Sequence, residues 1–163
     1  GPCPIGKIIE DAISFSRLEA KHQSARIEMN LPDALMSVVA DPVLIEQVLM
    51  NLIKNGLEAM GHLPPEQKLI EIQVGQSAQF ALVEVRDHGV GVPEEIRQRL
   101  FESFFTTKSD GMGMGLNICR TIIEYHQGQL WVEPAQGQGS VFKFTLPLAE
   151  DSVLAHINPP VME

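Results

Sequence analysis

Apolar positions recur at helical spacing in some stretches of this chain and at alternate positions in others. Ile5, Ile8, Ile9, Ala12, Ile13 and Phe15 fall near a 3.6-residue period and predict an amphipathic helix over 5–21. Ile27 and Met29 alternate with polar neighbours in ARIEMNL (25–31), as in a half-buried strand, and MSVVA (36–40) reads as a short apolar strand. Asp41 and Pro42 make a helix start, with a capping carboxylate followed by a proline where no amide donor is needed. That helix runs through VLIEQVLMNLIKNGLEAM to about Met60, and GHLPPEQ is a loop. KLIEIQV (68–74) and FALVEV (80–85) predict strands joined by the turn GQSAQ. RDHGVGV breaks the pattern, PEEIRQRLF reads as a short helix, and 102–112 reads as a loop. A helix over 113–126 follows, then QLWVEP and SVFKFTLP as strands around the turn AQGQG, and a tail from Ala149. Strand pairs mixed with long helices imply a layer of helices on one face of a mixed sheet, an α/β (α+β) two-layer sandwich.

Length and charge narrow the function. A chain of 163 residues is most simply one domain with an ordinary core. A net charge of -9 argues against a nucleic-acid partner, which calls for a basic face, but leaves small phosphorylated ligands open. Cys3 and Cys119 make no disulfide framework and fit a reducing cytosol, so a cytoplasmic setting is expected. Cys119 lies on the apolar face of its helix and reads as core rather than nucleophile. No apolar run approaches the ~18 residues that a bilayer span needs, so no direct membrane contact is expected, although a longer parent could be tethered. Gly1-Pro2 looks like the scar of a removed tag. The expected division is scar and linker over 1–4, one domain over 5–148 and a tail over 149–163.

Four constellations could carry chemistry. Asn51 and Asn55 stand four apart in NLIKN, on one helix face. They are either satisfied polar residues at a core edge or oxygen ligands for a hard cation such as Mg²⁺. In DHGVGV, Asp87 ends an apolar strand and Gly89 and Gly91 follow at alternate positions. This is either an ordinary turn or a buried carboxylate accepting from a ligand amine, with glycines that let the ligand reach the backbone. FESFFTTK sets three phenylalanines in a nominal loop, an anchor that would present Thr106, Thr107 and Lys108 to solvent or an anion. Finally, GMGMGLNICRTII (111–123) puts three glycines just before a helix, although glycine costs about 1 kcal/mol in a helix interior relative to alanine. Such a start leaves unpaired amides pointing one way at the positive end of the helix dipole, which suits phosphate. There is no GxxxxGK[ST], and GMGMGL lacks the GxGxxG spacing, so neither a P-loop nor a Rossmann fingerprint is present.

In this order the four motifs resemble the ATP-binding domain of sensor histidine kinases. NLIKNGLEAM resembles the family's asparagine box, DHGVGV its first glycine box, FESFFTTK its phenylalanine box and GMGMGLNICRTII its second glycine box. ADPVLIEQVL before the first box and HQGQLWVEPAQGQGSVFKFTLP after the last match as well, so the resemblance covers roughly residues 5–147. The short lid with FFTTK and GMGMGL is most similar to the subgroup of rhizobial oxygen-sensing kinases.

The resemblance implies the Bergerat-type fold shared with gyrase, the mismatch-repair ATPase and the heat-shock chaperone ATPase, with ATP and Mg²⁺ as ligands. It assigns Asn55 to Mg²⁺, with Asn51 supporting metal and phosphates. Asp87 would accept from the adenine amino group, with Gly89, Gly91 and Val92 lining the base pocket. Thr107, Lys108, Gly111, Met112, Gly113, Met114, Gly115 and Leu116 would close over the phosphates, and Ser140 would support Asp87. Asn51, Asn55 and Lys108 are then the candidate catalytic residues. The implied activity is transfer of the γ-phosphoryl group to a histidine on the parent's own dimerisation domain, with a response regulator downstream. A monomeric fragment of a homodimeric parent is expected.

Two departures bear on the chemistry. Many family members carry a lysine or arginine three residues after the metal-binding asparagine, where this chain has Glu58; Lys108 is the obvious substitute. The related ATPases place a water-activating glutamate where this chain has Asn51, and an amide is no general base. That favours a kinase over the alternative of a gyrase- or chaperone-class ATPase. A nucleotide-sensing module without transfer activity is the other alternative. None of His22, His62, His88, His126 or His156 sits in the HEL-type context of the family's phosphoacceptor, so the substrate histidine is expected on another domain.

Overall fold

Along three neighbouring strands, every second side chain is buried and the residues between are half-exposed, so one sheet face packs and the other meets water. The computed structural model describes residues 1–32, 36–102 and 115–150. In chain order the elements are β1 (Pro2–Pro4), α1 (Ile5–His22), β2 (Arg26–Asn30), β3 (Ser37–Val39), α2 (Pro42–Ala59), β4 (Leu69–Gln76), β5 (Phe80–Arg86), α3 (Glu94–Arg97), α4 (Leu116–Tyr125), β6 (Leu130–Pro134) and β7 (Ser140–Pro147), with a 3₁₀ turn at Pro65–Gln67.

The main sheet has five strands in the order β2-β4-β5-β7-β6. β2 runs parallel to β4 and the remaining pairs are antiparallel, so the sheet is mixed, as expected. Its buried face carries Ile70, Ile72, Ala81, Val83, Phe144 and Leu146. Against it lie the apolar stripes of α1, α2 and α4, including Ile9, Ile45, Leu49, Ile53, Cys119 and Ile123. The outward face is polar. There Lys143 of β7 lies 3.4 Å from Glu84 of β5 and 2.9 Å from Glu133 of β6, tying three strands together.

Two details depart from the periodicity reading. β4 continues through Gly75 and Gln76, which pair with Leu82 and Ala81, so the turn shrinks to the residues before Phe80. Periodicity registers side chains, whereas the ladder is made by backbone. The short strand around Val38 also stays out of the main sheet. It pairs antiparallel with β1, Pro2↔Val39 to Pro4↔Ser37, so residues assigned to scar and linker form a strand. A Val38↔Leu148 bridge joins this small ribbon to the end of β7.

The N-terminus of α2 forms as its sequence dictates. Asp41 Oδ1 accepts from the amides of Val43 (3.0 Å) and Leu44 (3.4 Å), and Pro42 occupies the first turn. His126 secures the same corner from the other side. Its Nδ1 lies 2.7 Å from the carbonyl oxygen of Ile122, so Nδ1 donates, and its Nε2 accepts from the Asp41 amide at 3.0 Å. The imidazole thus clips the end of α4 to the start of α2, using both nitrogens in structure.

Candidate nucleotide site

The α2 helix crosses the end of β5 at Gly56. A methyl group there would stand 3.3 Å from Asp87 Cβ and 2.6 Å from Ile70 Cδ1, so the bare Cα lets helix and strand end meet without displacing either side chain. This crossing brings the asparagine-bearing helix to Asp87. Asn51 and Asn55 lie four residues apart on α2, Asn51 buried and Asn55 half-buried.

Asp87 directly follows β5 and is 4% exposed. Its Oδ1 accepts from the Gly89 amide at 2.8 Å and from the Ser140 amide at 3.4 Å, while its own amide donates to the Ser140 carbonyl at 3.0 Å. Ser140 therefore supports Asp87 through its backbone. Both donors go to one oxygen; Oδ2 receives neither. Burial pushes the carboxyl above its ordinary value, against the pull of the two amides and of the His88 and Arg86 charges.

His88 turns away from this pocket. Its amide points to Met60 Sδ at 3.4 Å, and its Nε2 donates to Glu71 Oε1 at 2.8 Å on the polar face of the sheet. Gly91 has φ +78° and packs by the Gly139 carbonyl, and the Val92 carbonyl accepts from Arg97 Nη1 at 3.1 Å. Gly115 caps α4 and accepts from the Ile118 amide at 2.9 Å, and Leu116 opens the helix against the core. Thr107, Lys108, Gly111, Met112, Gly113 and Met114 lie outside the described residues, as does the part of the predicted 113–126 helix before Gly115.

Three contacts go beyond the motif reading, which took the phenylalanines of FESFFTTK as an anchor and Cys119 as core. Gly139 (φ +111°) presses against the Asp87 and His88 backbone, where any side chain would collide. Phe101 stacks edge-on to Phe142, ring centroids 6.5 Å apart, and lies under the Arg120 guanidinium at 5.5 Å. This packing puts the first phenylalanine of FESFFTTK between β7 and α4. Cys119, read as core, does lie in the core, and it also meets Asn51: the Asn51 Nδ2 donates to its Sγ at 3.0 Å. Only the glycine-rich turn GQG and the aromatic at 101 carried a signal, and neither names its partner.

Residues 40–150 match the family described as histidine kinase-, DNA gyrase B- and HSP90-like ATPase. The chain belongs to this family. Its fold matches the nucleotide-free catalytic domain of histidine kinase ThkA with a TM-score of 0.80 at 31% identity, covering 90% of this chain and 94% of that one. It is a histidine kinase catalytic domain, built on an ATPase-family fold. Curated relatives include the sensor protein TdiS of Thauera aromatica, 39% identical over 90% of this chain and 27% of that protein. The sensor protein FixL of Bradyrhizobium diazoefficiens is 38% identical over 91% of this chain and 29% of that protein. The chain thus spans about a quarter of the length of these curated relatives. Among the described residues, no helix is long and apolar enough to cross a membrane.

Proposed function

We propose that this domain holds Mg-ATP between the asparagine face of α2 and Asp87, and presents the γ-phosphoryl group to a histidine on the parent's dimerisation domain. The observation that carries the reading is the Asp87 carboxylate, buried, held through Oδ1 by two backbone amides, and with Oδ2 taking neither. An oxygen so placed suits the exocyclic amine of adenine, an N–H donor with a fixed geometry. Gly91 and Val92 follow on the same loop and would line the base.

The donor set on α2 fits a hard cation, since Asn51 and Asn55 offer amide oxygens at helical spacing. Asn55, with Asn51 in support, would hold Mg²⁺, which would supply charge to offset what develops on the phosphates during transfer. The work left to the protein is positioning and electrostatic stabilisation, by Asn55, Asn51, Lys108, Thr107 and the amides of 111–116. With an amide at position 51, no side chain there can take a proton from water, which disfavours hydrolysis and leaves the γ-phosphoryl group for an incoming imidazole. The ATPase alternative rests on the family name alone.

Transfer onward to a response regulator, in the cytoplasm, belongs to the same reading. ThkA, 29% identical to this chain over 42% of its own length, has been solved in complex with response regulator TrrA. Incubation with γ-labelled ATP tests the reading. The chain alone should stay unlabelled, whereas the dimerisation domain of the same parent, when added, should gain acid-labile label. Self-labelling of the isolated chain, or steady phosphate release without transfer, would overturn it.

A further inference from the structure

The buried contact between Asn51 on α2 and Cys119 on α4 does more than fill space. Asn51 is 7% exposed, Cys119 is fully buried, and the Asn51 amide nitrogen donates to the Cys119 sulfur at 3.0 Å across 68 positions of sequence. A primary amide has two unlike ends about 120° apart: the NH₂ donates and the carbonyl oxygen accepts. Committing the NH₂ to a partner on α4 turns the oxygen away from α4. Rotated by half a turn, the same side chain would offer N–H groups where an oxygen is needed, and a hard cation takes oxygen ligands.

The geometry points to Cys119 as a positioning residue that fixes which end of the Asn51 amide faces the metal-phosphate site. Cys119 touches neither metal nor nucleotide in this assignment and acts through Asn51. The inference rests on the proposed role of the α2 asparagines in holding Mg²⁺ with the phosphates.

Three substitutions test it. Cys119→Val keeps the apolar bulk but removes the acceptor, Cys119→Ala removes the acceptor and leaves a cavity, and Cys119→Ser restores an acceptor. Calorimetry with ATP in Mg²⁺ and in EDTA gives the Mg²⁺-dependent gain in affinity. That gain should fall about 3- to 10-fold in both acceptor-less variants, return in Cys119→Ser, and not track their melting temperatures. Adenosine affinity should hold. A metal-free readout is solvent exchange of the Asn51 side-chain amide by NMR in nucleotide-free protein. It should be slower in the wild type and in Cys119→Ser than in Cys119→Val. A wild-type Mg²⁺ gain and a protected amide in Cys119→Val would overturn the inference. Asn55→Ala separates the two levels. If it abolishes the Mg²⁺ gain while Cys119→Val preserves it, only the role of Cys119 falls. If Asn55→Ala preserves the gain, the metal assignment falls and the inference with it.

Discussion

Gly139 lies so close to Asp87 that a side chain at 139 would run into the Asp87 carbonyl. The contact locks the turn between β6 and β7 onto the end of β5, at the residue whose carboxylate is proposed to receive the adenine amine. Gly139 also has φ +111°, a conformation that glycine alone adopts without strain.

Gly139→Ala should therefore destabilise the domain by about 2–4 kcal/mol, from backbone strain together with the forced displacement of Asp87. Denaturant unfolding would measure it. ATP affinity should fall as well, because the amide of residue 140 would shift away from Asp87 Oδ1.

Asp87→Asn separates binding from folding. A hydrogen bond to a charged group contributes about 1.5–3 kcal/mol, so adenine nucleotide affinity should drop about 10- to 100-fold by calorimetry. The fold should be as stable or more so, because the substitution removes a buried charge while leaving an oxygen for the Gly89 and Ser140 amides.

The same residue gives a pH signature. The folded carboxyl titrates above its ordinary value of 3.8, so between the two values the native state binds more protons than the unfolded chain. Its contribution to stability is fully present below 3.8 and is lost as pH rises through the raised value. The stability of the wild type relative to Asp87→Asn should therefore increase as pH is lowered from neutral. A flat difference across acid pH would show that Asp87 is not desolvated in solution.

His126→Ala should cost about 0.5–1.5 kcal/mol, since it removes a buried imidazole and the part-buried hydrogen bond that it accepts from the Asp41 amide. The Mg²⁺-dependent gain in ATP affinity should stay at its wild-type value, because His126 lies at the far end of α4 from Gly115. Thermal melting and calorimetry on one preparation would give both numbers.

Lys108→Ala should weaken ATP more than adenosine and slow transfer to an added histidine domain, if Lys108 supplies the phosphate contact missing at Glu58. Parallel titrations with the two ligands test it; equal affinities to wild type for both would return attention to Glu58 and its neighbours.

The elements of this protein were legible one by one, because each announces itself locally. Asp41 and Pro42 mark the start of α2, and alternation marks β5 and β7. The ordered boxes named the family, and the resemblance they carry singled out Asp87 and Asn55 as candidates, where each motif alone left an ordinary turn or a core edge open. What the sequence could not express is who meets whom. That Oδ1 of Asp87 is taken up by backbone amides, that Gly56 and Gly139 are bare so that α2 and a distant turn can close on one strand end, and that Cys119 accepts from Asn51 all depend on contacts between segments far apart in the chain. A glycine or a buried cysteine looks the same in sequence whether it fills space or orients a neighbour. Only tertiary packing, by choosing which backbone or amide stands within 3–4 Å, decides between the two.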